Sequence, residues 1–299
     1  MSITILQQND PIQQQWIVGS IIGTGGFSTV YLVTSSLDSS ITYVGKVSNK
    51  KNKRSIDFMV NEIEKQKSLK HKNIVEIITS FETVNHHIII LPYYEAGSLY
   101  DLLKLKKKLK EVECKDLFHQ ILSGLKYLKD SSIVHRDIKP ANILLKVNQE
   151  KAQRVFDSSD EESEEDHNVF IYDVYICDFG FATEVTDKDC LKVIGTPNFI
   201  AVELLNCDND IAVTDINQLF KIDIWSSGVL FSNCLIGTPV FQTASVKTTY
   251  DKIKKCDWSF PNTCTLTESA KQLIGSMIKL KPENRKCVEE LLQDPFFIN

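Results

Sequence analysis

One run of eight residues sets the architecture expected of this chain: His135-Arg136-Asp137-Ile138-Lys139-Pro140-Ala141-Asn142. A second motif, Asp178-Phe179-Gly180, follows further along the chain. In the first motif a carboxylate can orient a hydroxyl group, a lysine can meet a phosphate, and an amide can hold Mg²⁺. The second motif adds a carboxylate for the metal. Either motif alone would be a weak match, but together and in this order they predict a phosphoryl-transfer site.

The composition is that of an ordinary soluble globular protein, with 299 residues, of which 42% are hydrophobic and 24% charged. This length allows one two-lobed domain or two small domains. The eight cysteines form no Cys-x-x-Cys pair, so we expect neither a disulfide framework nor zinc, and a cytoplasmic or nuclear setting fits best. We find no secretory signal and no apolar run of about 18–20 residues, and therefore expect no membrane association.

The net charge is unevenly distributed. Residues 157–166 hold seven acids and no base, and removing these seven charges from the net −5 leaves +2 for the rest of the chain. The nearly neutral body gives no indication of nucleic-acid binding. The insertion that carries the acids, at about 148–172, is expected to be disordered or a solvated loop. Its serines could be sites for an acid-directed kinase, or the loop could be inert.

The N-terminal part reads as strands around a glycine-rich turn, with Lys46 on the strand that follows. Glycines let backbone N–H groups approach phosphates closely because no Cβ intervenes. A helix is predicted over 55–70, and its apolar arc includes Glu62, while Glu64 points to the opposite side. A buried carboxylate needs a partner, and Lys46 is the natural one.

The rest of the chain alternates between short strands and helices. Two further strands are predicted over 74–91, a connector over 92–97, a helix that begins after Ser98, a second helix over 112–129 and a strand pair at 143–147 and 174–177. The lysines of 104–110 read as a solvated face, with a nuclear-import signal or docking patch as the alternative. Arg285 is the expected buried partner of Glu203.

Through these motifs the chain resembles eukaryotic protein kinases over about 16–298. The resemblance implies an α+β, two-lobed fold with a β-rich N-lobe containing one key helix and a mainly helical C-lobe. It implies an N-terminal extension at 1–15, an N-lobe at 16–91, a hinge at 92–97 and a C-lobe at 98–299. ATP and Mg²⁺ are the implied cofactors, and proteins phosphorylated on serine or threonine are the implied substrates. The oligomeric state is left open.

The resemblance also implies roles for individual residues. Asp137, Lys139, Lys46 and Glu62 are the expected catalytic set, and Asn142 and Asp178 the expected Mg²⁺ ligands. The expected ATP-binding residues are Ile22, Gly23, Thr24, Gly25, Gly26, Phe27, Ser28, Thr29, Val30, Lys46, Pro92 and Tyr94.

Within this superfamily the chain is most similar to polo-like kinases, through its glycine loop, Val44-Gly45-Lys46-Val47 and Gly237-Thr238-Pro239-Val240-Phe241. We expect no polo boxes, because no chain follows for them. Lys192 stands where polo-like kinases present an activating threonine, so we hypothesise that this segment orders without phosphorylation there, with Asp187 or Asp189 facing Arg136. The rival functions are a pseudokinase acting as a nucleotide-binding scaffold and a kinase of small molecules.

Overall fold

The structure, a computed structural model, describes residues 3–6, 15–158, 169–187, 190–205 and 215–298. The chain divides into two compact units. The first comprises residues 1–95 together with 178–181, and the second comprises 96–177 and 182–299. The domain boundaries expected from the sequence stay predictions.

The first unit is built on an antiparallel sheet of six strands in the order β1-β2-β3-β4-β6-β5. The strands are β1 (Ile3–Leu6), β2 (Gln15–Thr24), β3 (Thr29–Ser35), β4 (Thr42–Asn49), β5 (Thr79–Glu82) and β6 (His86–Pro92). Trp16, Val33 and Phe81 pack with two isoleucines of β6 into its core. Strand β1 pairs with β2 within the segment expected only as an extension, so the sequence reading missed this strand.

One helix, α1 (Lys53–Gln66), belongs to the same unit. It begins where the side chain of Asn52 accepts a hydrogen bond from the N–H of Ser55, which satisfies a donor that the first turn leaves unpaired. Both ends lie earlier in the chain than predicted. The predicted orientation is confirmed, because Glu62 is buried and Glu64 is exposed.

The second unit is mainly helical. Its helices are α2 (Leu99–Lys106), α3 (Glu111–Asp130), α4 (Gln149–Ser158), α5 (Val202–Leu205), α6 (Ile216–Leu219), α7 (Lys221–Ile236), α8 (Val246–Lys255), α9 (Glu268–Met277), α10 (Val288–Leu292) and α11 (Pro295–Ile298). Two antiparallel pairs join β7 (Ile133–Val134) to β10 (Thr183–Glu184) and β8 (Ile143–Val147) to β9 (Tyr172–Ile176). Ser98 caps the N-terminus of helix α2, as expected, in a capping box with Asp101.

Helix α7 is the centre of this unit. The ring of its Phe231 lies 4.5 Å from that of Phe118 on α3. A Cβ on Gly228 would lie 2.8 Å from the Cβ of Met277, so only glycine allows α9 to approach this closely. The run Ile216–Ile236 is long and apolar enough to cross a membrane by composition, contrary to the sequence reading, but 83% of an 18-residue apolar window within it is buried, as in a core helix.

The expectation of a disordered or solvated loop at about 148–172 is wrong for the first part of this insertion. Residues 149–158 form α4, where the side chain of Asn148 accepts a hydrogen bond from the N–H of Lys151. The ammonium of Lys151 also pairs with Asp116 on α3, which ties the helix to the body of the unit. Most of the acidic tract lies outside the described residues, as do Ser159 and Ser163.

Candidate active site

In the first unit, the predicted pair of Lys46 and Glu62 forms and extends to a third charged group. Lys46 Nζ lies 2.8 and 2.6 Å from the two carboxylate oxygens of Glu62 and 2.9 Å from Oδ1 of Asp178. Strand β4 supplies the lysine and the buried face of α1 supplies the glutamate. The lysine is therefore held between two carboxylates, in the position from which it could meet a phosphate.

The charges of this network perturb one another. Burial alone would lower the pKa of Lys46, but the carboxylates of Asp178 and Glu62 outweigh it and raise that pKa. Burial also raises the pKa of Glu62, because its carboxylate is removed from water, while the ammonium of Lys46 acts in the opposite direction. We infer that Lys46 stays protonated and so keeps the charge that a phosphate-binding lysine needs.

The glycine-rich turn joins β2 to β3 in the same unit. Its ends are closed by a hydrogen bond of 2.9 Å from the N–H of Gly25 to the carbonyl oxygen of Ser28. The predicted residues before and after the turn lie on β2 (Ile22, Gly23, Thr24) and β3 (Thr29, Val30). Of the other two predicted ATP contacts, Pro92 ends β6 and Tyr94 is buried. Their contacts with a nucleotide stay predictions.

In the second unit, Asp137 is the centre of a compact polar cluster. Its Oδ2 lies 2.7 Å from Lys139 Nζ and accepts a hydrogen bond from Nδ2 of Asn142 at 3.0 Å. Its Oδ1 accepts a hydrogen bond of 2.7 Å from the hydroxyl of Thr196, which in turn accepts one of 2.8 Å from Lys139. Asp137 is only 3% exposed. This carboxylate is thus fixed in orientation, as a group that positions a hydroxyl must be.

Thr196 is absent from the residues predicted for the site. Gly195 has φ +114°, and a Cβ there would lie 2.8 Å from the carbonyl oxygen of Arg136. Glycine is required because the chain passes so close to the loop over 135–142, the predicted catalytic loop. This approach places the Thr196 hydroxyl between Asp137 and Lys139.

Asp223, at the start of α7, holds the backbone of the catalytic loop. Its two carboxylate oxygens accept hydrogen bonds from the N–H groups of His135 at 2.7 Å and Arg136 at 2.8 Å. Burial raises the pKa of Asp223, and these partners oppose the rise. No role was predicted for Asp223 from the sequence. The signal in the sequence was an acidic residue on a helix whose other residues are apolar enough to be buried, because a buried carboxylate needs a partner.

The predicted pair of Arg285 and Glu203 is confirmed. The two guanidinium nitrogens Nη1 and Nη2 each donate to one carboxylate oxygen of Glu203 at 2.7 Å, and both side chains are fully buried. The guanidinium also lies 4.8 Å from the ring centroid of Trp225. This bidentate, stacked geometry anchors the end of the segment that carries Thr196.

The predicted acid facing Arg136 stays a hypothesis. A guanidinium nitrogen of Arg136 donates to the carbonyl oxygen of Cys190 at 3.2 Å. Asp187 accepts a hydrogen bond from the hydroxyl of Thr183, and Asp189 lies outside the described residues. Lys192 is exposed.

The residues predicted as metal ligands suit Mg²⁺ in chemical type. Asn142 donates through its amide nitrogen to Asp137, so its carbonyl oxygen is the atom that could bind a metal. The side chain of Asp178 is 44% exposed although it contacts Lys46. Among the described residues no cluster of three or more His, Cys, Asp or Glu could hold a metal alone. Mg²⁺ is commonly bound by one or two carboxylates together with substrate phosphates, and the oxygen-bearing side chains of Asn142 and Asp178 are of this type.

Comparison with known proteins agrees with this geometry. The family model of the protein kinase domain matches residues 16–297. Probable serine/threonine-protein kinase CCRP1 of Zea mays is 33% identical over 99% of this chain and 44% of its own length. Serine/threonine-protein kinase polo of Drosophila melanogaster is 32% identical over 92% of this chain and 42% of its own length.

A third relative, the cell cycle serine/threonine-protein kinase CDC5/MSD2 of Saccharomyces cerevisiae, is 32% identical over 93% of this chain and 36% of its own length. The chain thus spans less than half the length of these relatives. The resemblance to polo-like kinases and the two-lobed α+β fold class predicted from the sequence are confirmed. Because the family model matches residues of both units, the chain belongs to the protein kinase family.

Proposed function

We propose that this chain is a serine/threonine protein kinase that transfers the γ-phosphate of ATP to protein hydroxyls. One observation carries the proposal: both polar clusters, around Lys46 in the first unit and around Asp137 in the second, are complete and hydrogen-bonded. A scaffold without transfer activity would not need either cluster, and every residue of the expected catalytic set is present. Nothing in the comparisons favours a pseudokinase.

In the proposed reaction, each residue acts through the contacts described above. Mg²⁺, held by Asn142 and Asp178, would neutralise phosphate charge. Lys46 would bind the α- and β-phosphates, with its ammonium fixed by Glu62. Asp137 would orient the substrate hydroxyl and accept its proton, because its carboxylate is already oriented.

Lys139 has a separate role in this proposal, because its ammonium already lies beside the Asp137 carboxylate and the Thr196 hydroxyl. A positive charge at this position would stabilise the γ-phosphoryl group during transfer. Thr196 would keep the ammonium aligned with Asp137, since its hydroxyl bonds to both groups.

A groove beside this cluster favours acidic protein substrates. It has a volume of about 500 Å³ and lies between α2, the catalytic loop and the segment at 237–242. Lys104 and Lys139 are its only charged lining residues among those described, while Asn198, Asn233 and Gln242 are neutral. An acidic residue near the phosphoacceptor would meet the ammonium of Lys104 there, whereas Lys139 is already paired with Asp137. We therefore propose substrates with acidic residues beside the serine or threonine.

Two relatives, one named polo and the other named a cell cycle kinase, support a regulatory role for this kinase. A reducing compartment, cytoplasm or nucleus, is proposed from the cysteines, since none of the seven in the described ranges forms a disulfide.

The test is Mg²⁺-dependent phosphorylation of casein by the wild type and by Asp178→Asn. We expect transfer by the wild type and its loss in the variant, because the amide replaces a metal-binding carboxylate. Asp38→Asn, an exposed substitution in the turn between β3 and β4, is the control and should transfer normally. If the wild type binds Mg²⁺-ATP but transfers nothing to any protein substrate, the kinase proposal is wrong and the scaffold reading replaces it.

A further inference from the structure

The tip of the glycine loop is attached to helix α1 by aromatic side chains. The ring of Phe27, at the tip, lies 4.1 Å from the ring of Phe58 on α1 and 6.1 Å from that of Phe181. The rings of Phe58 and Phe181 lie 4.9 Å apart at 74°, close to an edge-to-face arrangement. These separations are in the range where aromatic pairs attract. Three segments that are distant in the sequence thus meet in one contact within the first unit.

A positive charge covers two of these rings. The guanidinium carbon of Arg54, in the first turn of α1, lies 5.4 Å from the ring centroid of Phe27 and 5.7 Å from that of Phe58. Both distances are within the range of a cation–π interaction. We refer to the four side chains of Phe27, Phe58, Phe181 and Arg54 as the aromatic clip.

The same face of α1 carries the groups that organise the site. Arg54, Phe58, Asn61 and Glu62 are spaced so that they share one side of a helix. The amide of Asn61 donates to the carbonyl oxygens of Phe179 at 3.3 Å and Gly180 at 3.1 Å, directly after Asp178. Glu62 holds Lys46. The position of α1 therefore fixes Lys46 and Asp178 together with the loop tip.

A glycine-rich turn needs such an anchor. Gly25 and Gly26 give the turn the close approach that phosphates require, but they also give it more conformations to lose on binding. A Cβ on Gly26 would meet nothing within 4 Å, so the turn itself makes no packing contact there. Phe27 is the next residue, and its half-buried ring is the side chain that contacts α1.

We propose that the aromatic clip is a positioning device: it holds the glycine loop down on α1, so that the backbone N–H groups of the loop are preorganised for the phosphates of Mg²⁺-ATP. The inference rests on the proposed function and deepens it, by naming Arg54 and Phe58 as residues that act on nucleotide binding through Phe27. Neither residue was predicted as part of the site.

The experiment measures the affinity of the full chain for Mg²⁺ with a non-hydrolysable ATP analogue by calorimetry, alongside KM for ATP and kcat. Phe27→Ala should weaken binding about five- to tenfold, since an aromatic pair and a cation–π contact are both lost. Arg54→Met, which keeps the aliphatic stem, should weaken it about two- to threefold. Phe27→Tyr, which keeps the ring, should weaken binding less than Phe27→Ala does.

A double substitution separates coupling from general damage. If Arg54 acts through Phe27, Phe27→Ala with Arg54→Met should bind no more weakly than Phe27→Ala alone. Phe156→Ala is the matched control. It removes an exposed ring on α4 and should leave the affinity unchanged. Thermal unfolding of each variant reports whether the chain is folded, and a purely structural role would lower the unfolding temperature without changing KM.

Three results overturn the proposal: unchanged affinity in folded Phe27→Ala, tighter binding in that variant, or additive effects of the two substitutions. Tighter binding would mean that the ring blocks the nucleotide. Failure of the proposed function looks different, because then the wild type itself would bind no Mg²⁺-nucleotide or transfer no phosphate.

Discussion

The two polar clusters are built on different principles. Around Lys46, three charged side chains come from positions far apart in the sequence, and the buried Glu62 depends on helix α1 to reach its partner. Around Asp137, the partners Lys139 and Asn142 lie within the same short loop, and Thr196 adds a neutral hydroxyl. A shift of α1 would separate the first cluster, whereas the second is fixed by its own loop and by Asp223. The first cluster thus depends on the packing of a helix against the sheet, and the second mainly on the geometry of one loop.

Asp137→Asn should break the second cluster with the largest effect on catalysis. The amide keeps the size of the side chain but cannot accept a proton, so kcat should fall about 10²- to 10⁴-fold while the affinity for Mg²⁺-ATP stays close to that of the wild type. Steady-state kinetics and calorimetry check this. An equal loss of nucleotide affinity would contradict the assignment of Asp137 to the protein substrate.

Arg285→Met should show how far the rigidity of the second unit depends on its buried ion pair. The substitution leaves the carboxylate of Glu203 buried without its partner, and we expect a loss of about 3–5 kcal/mol in the free energy of unfolding, measured in urea. Lys126→Met removes a lysine from the exposed pair with Asp130 and is the control. That variant should unfold at nearly the wild-type urea concentration, since exposed pairs contribute little. Equal midpoints for the two variants would argue against the role of Arg285.

Glu62→Gln should weaken the first cluster without removing its lysine. Loss of the charge-assisted bonds to Lys46 is expected to lower kcat/KM about ten- to hundredfold. Glu64→Gln changes the same residue type two positions along α1 on the exposed side and should have no effect. If both variants behave alike, the orientation of α1 described above has no functional consequence.

Thr196→Val is the mildest test, and it acts on the second cluster. It removes one hydrogen bond to Asp137 and one from Lys139 while it keeps the shape of the side chain. We expect kcat to fall about three- to tenfold, and Thr196→Ser to recover most of the loss because it restores the hydroxyl. Full activity in the valine variant would show that Lys139 and Asn142 alone hold the carboxylate.

Several features of the site were predictable because they depend on short-range patterns. Residue spacing on a helix places Glu62 inward and Glu64 outward, and the loop from His135 to Asn142 carries most of its own cluster. Other features were not. Strand β1 is only four residues long and is seen as a strand through its pairing with β2, and α4 lies in a segment whose contact with Asp116 on α3 is not visible in the local sequence.

By itself the sequence determined the family and the two-lobed fold class and predicted a catalytic set, because these depend on motifs whose residue types and order are typical of phosphoryl transfer. Only the tertiary structure decided that Thr196 joins Asp137, that Asp223 holds the loop, and that Phe27 contacts Phe58 and Arg54. The physical reason is distance along the chain. These contacts join residues that no local periodicity relates, and they form only when packing brings separate segments together.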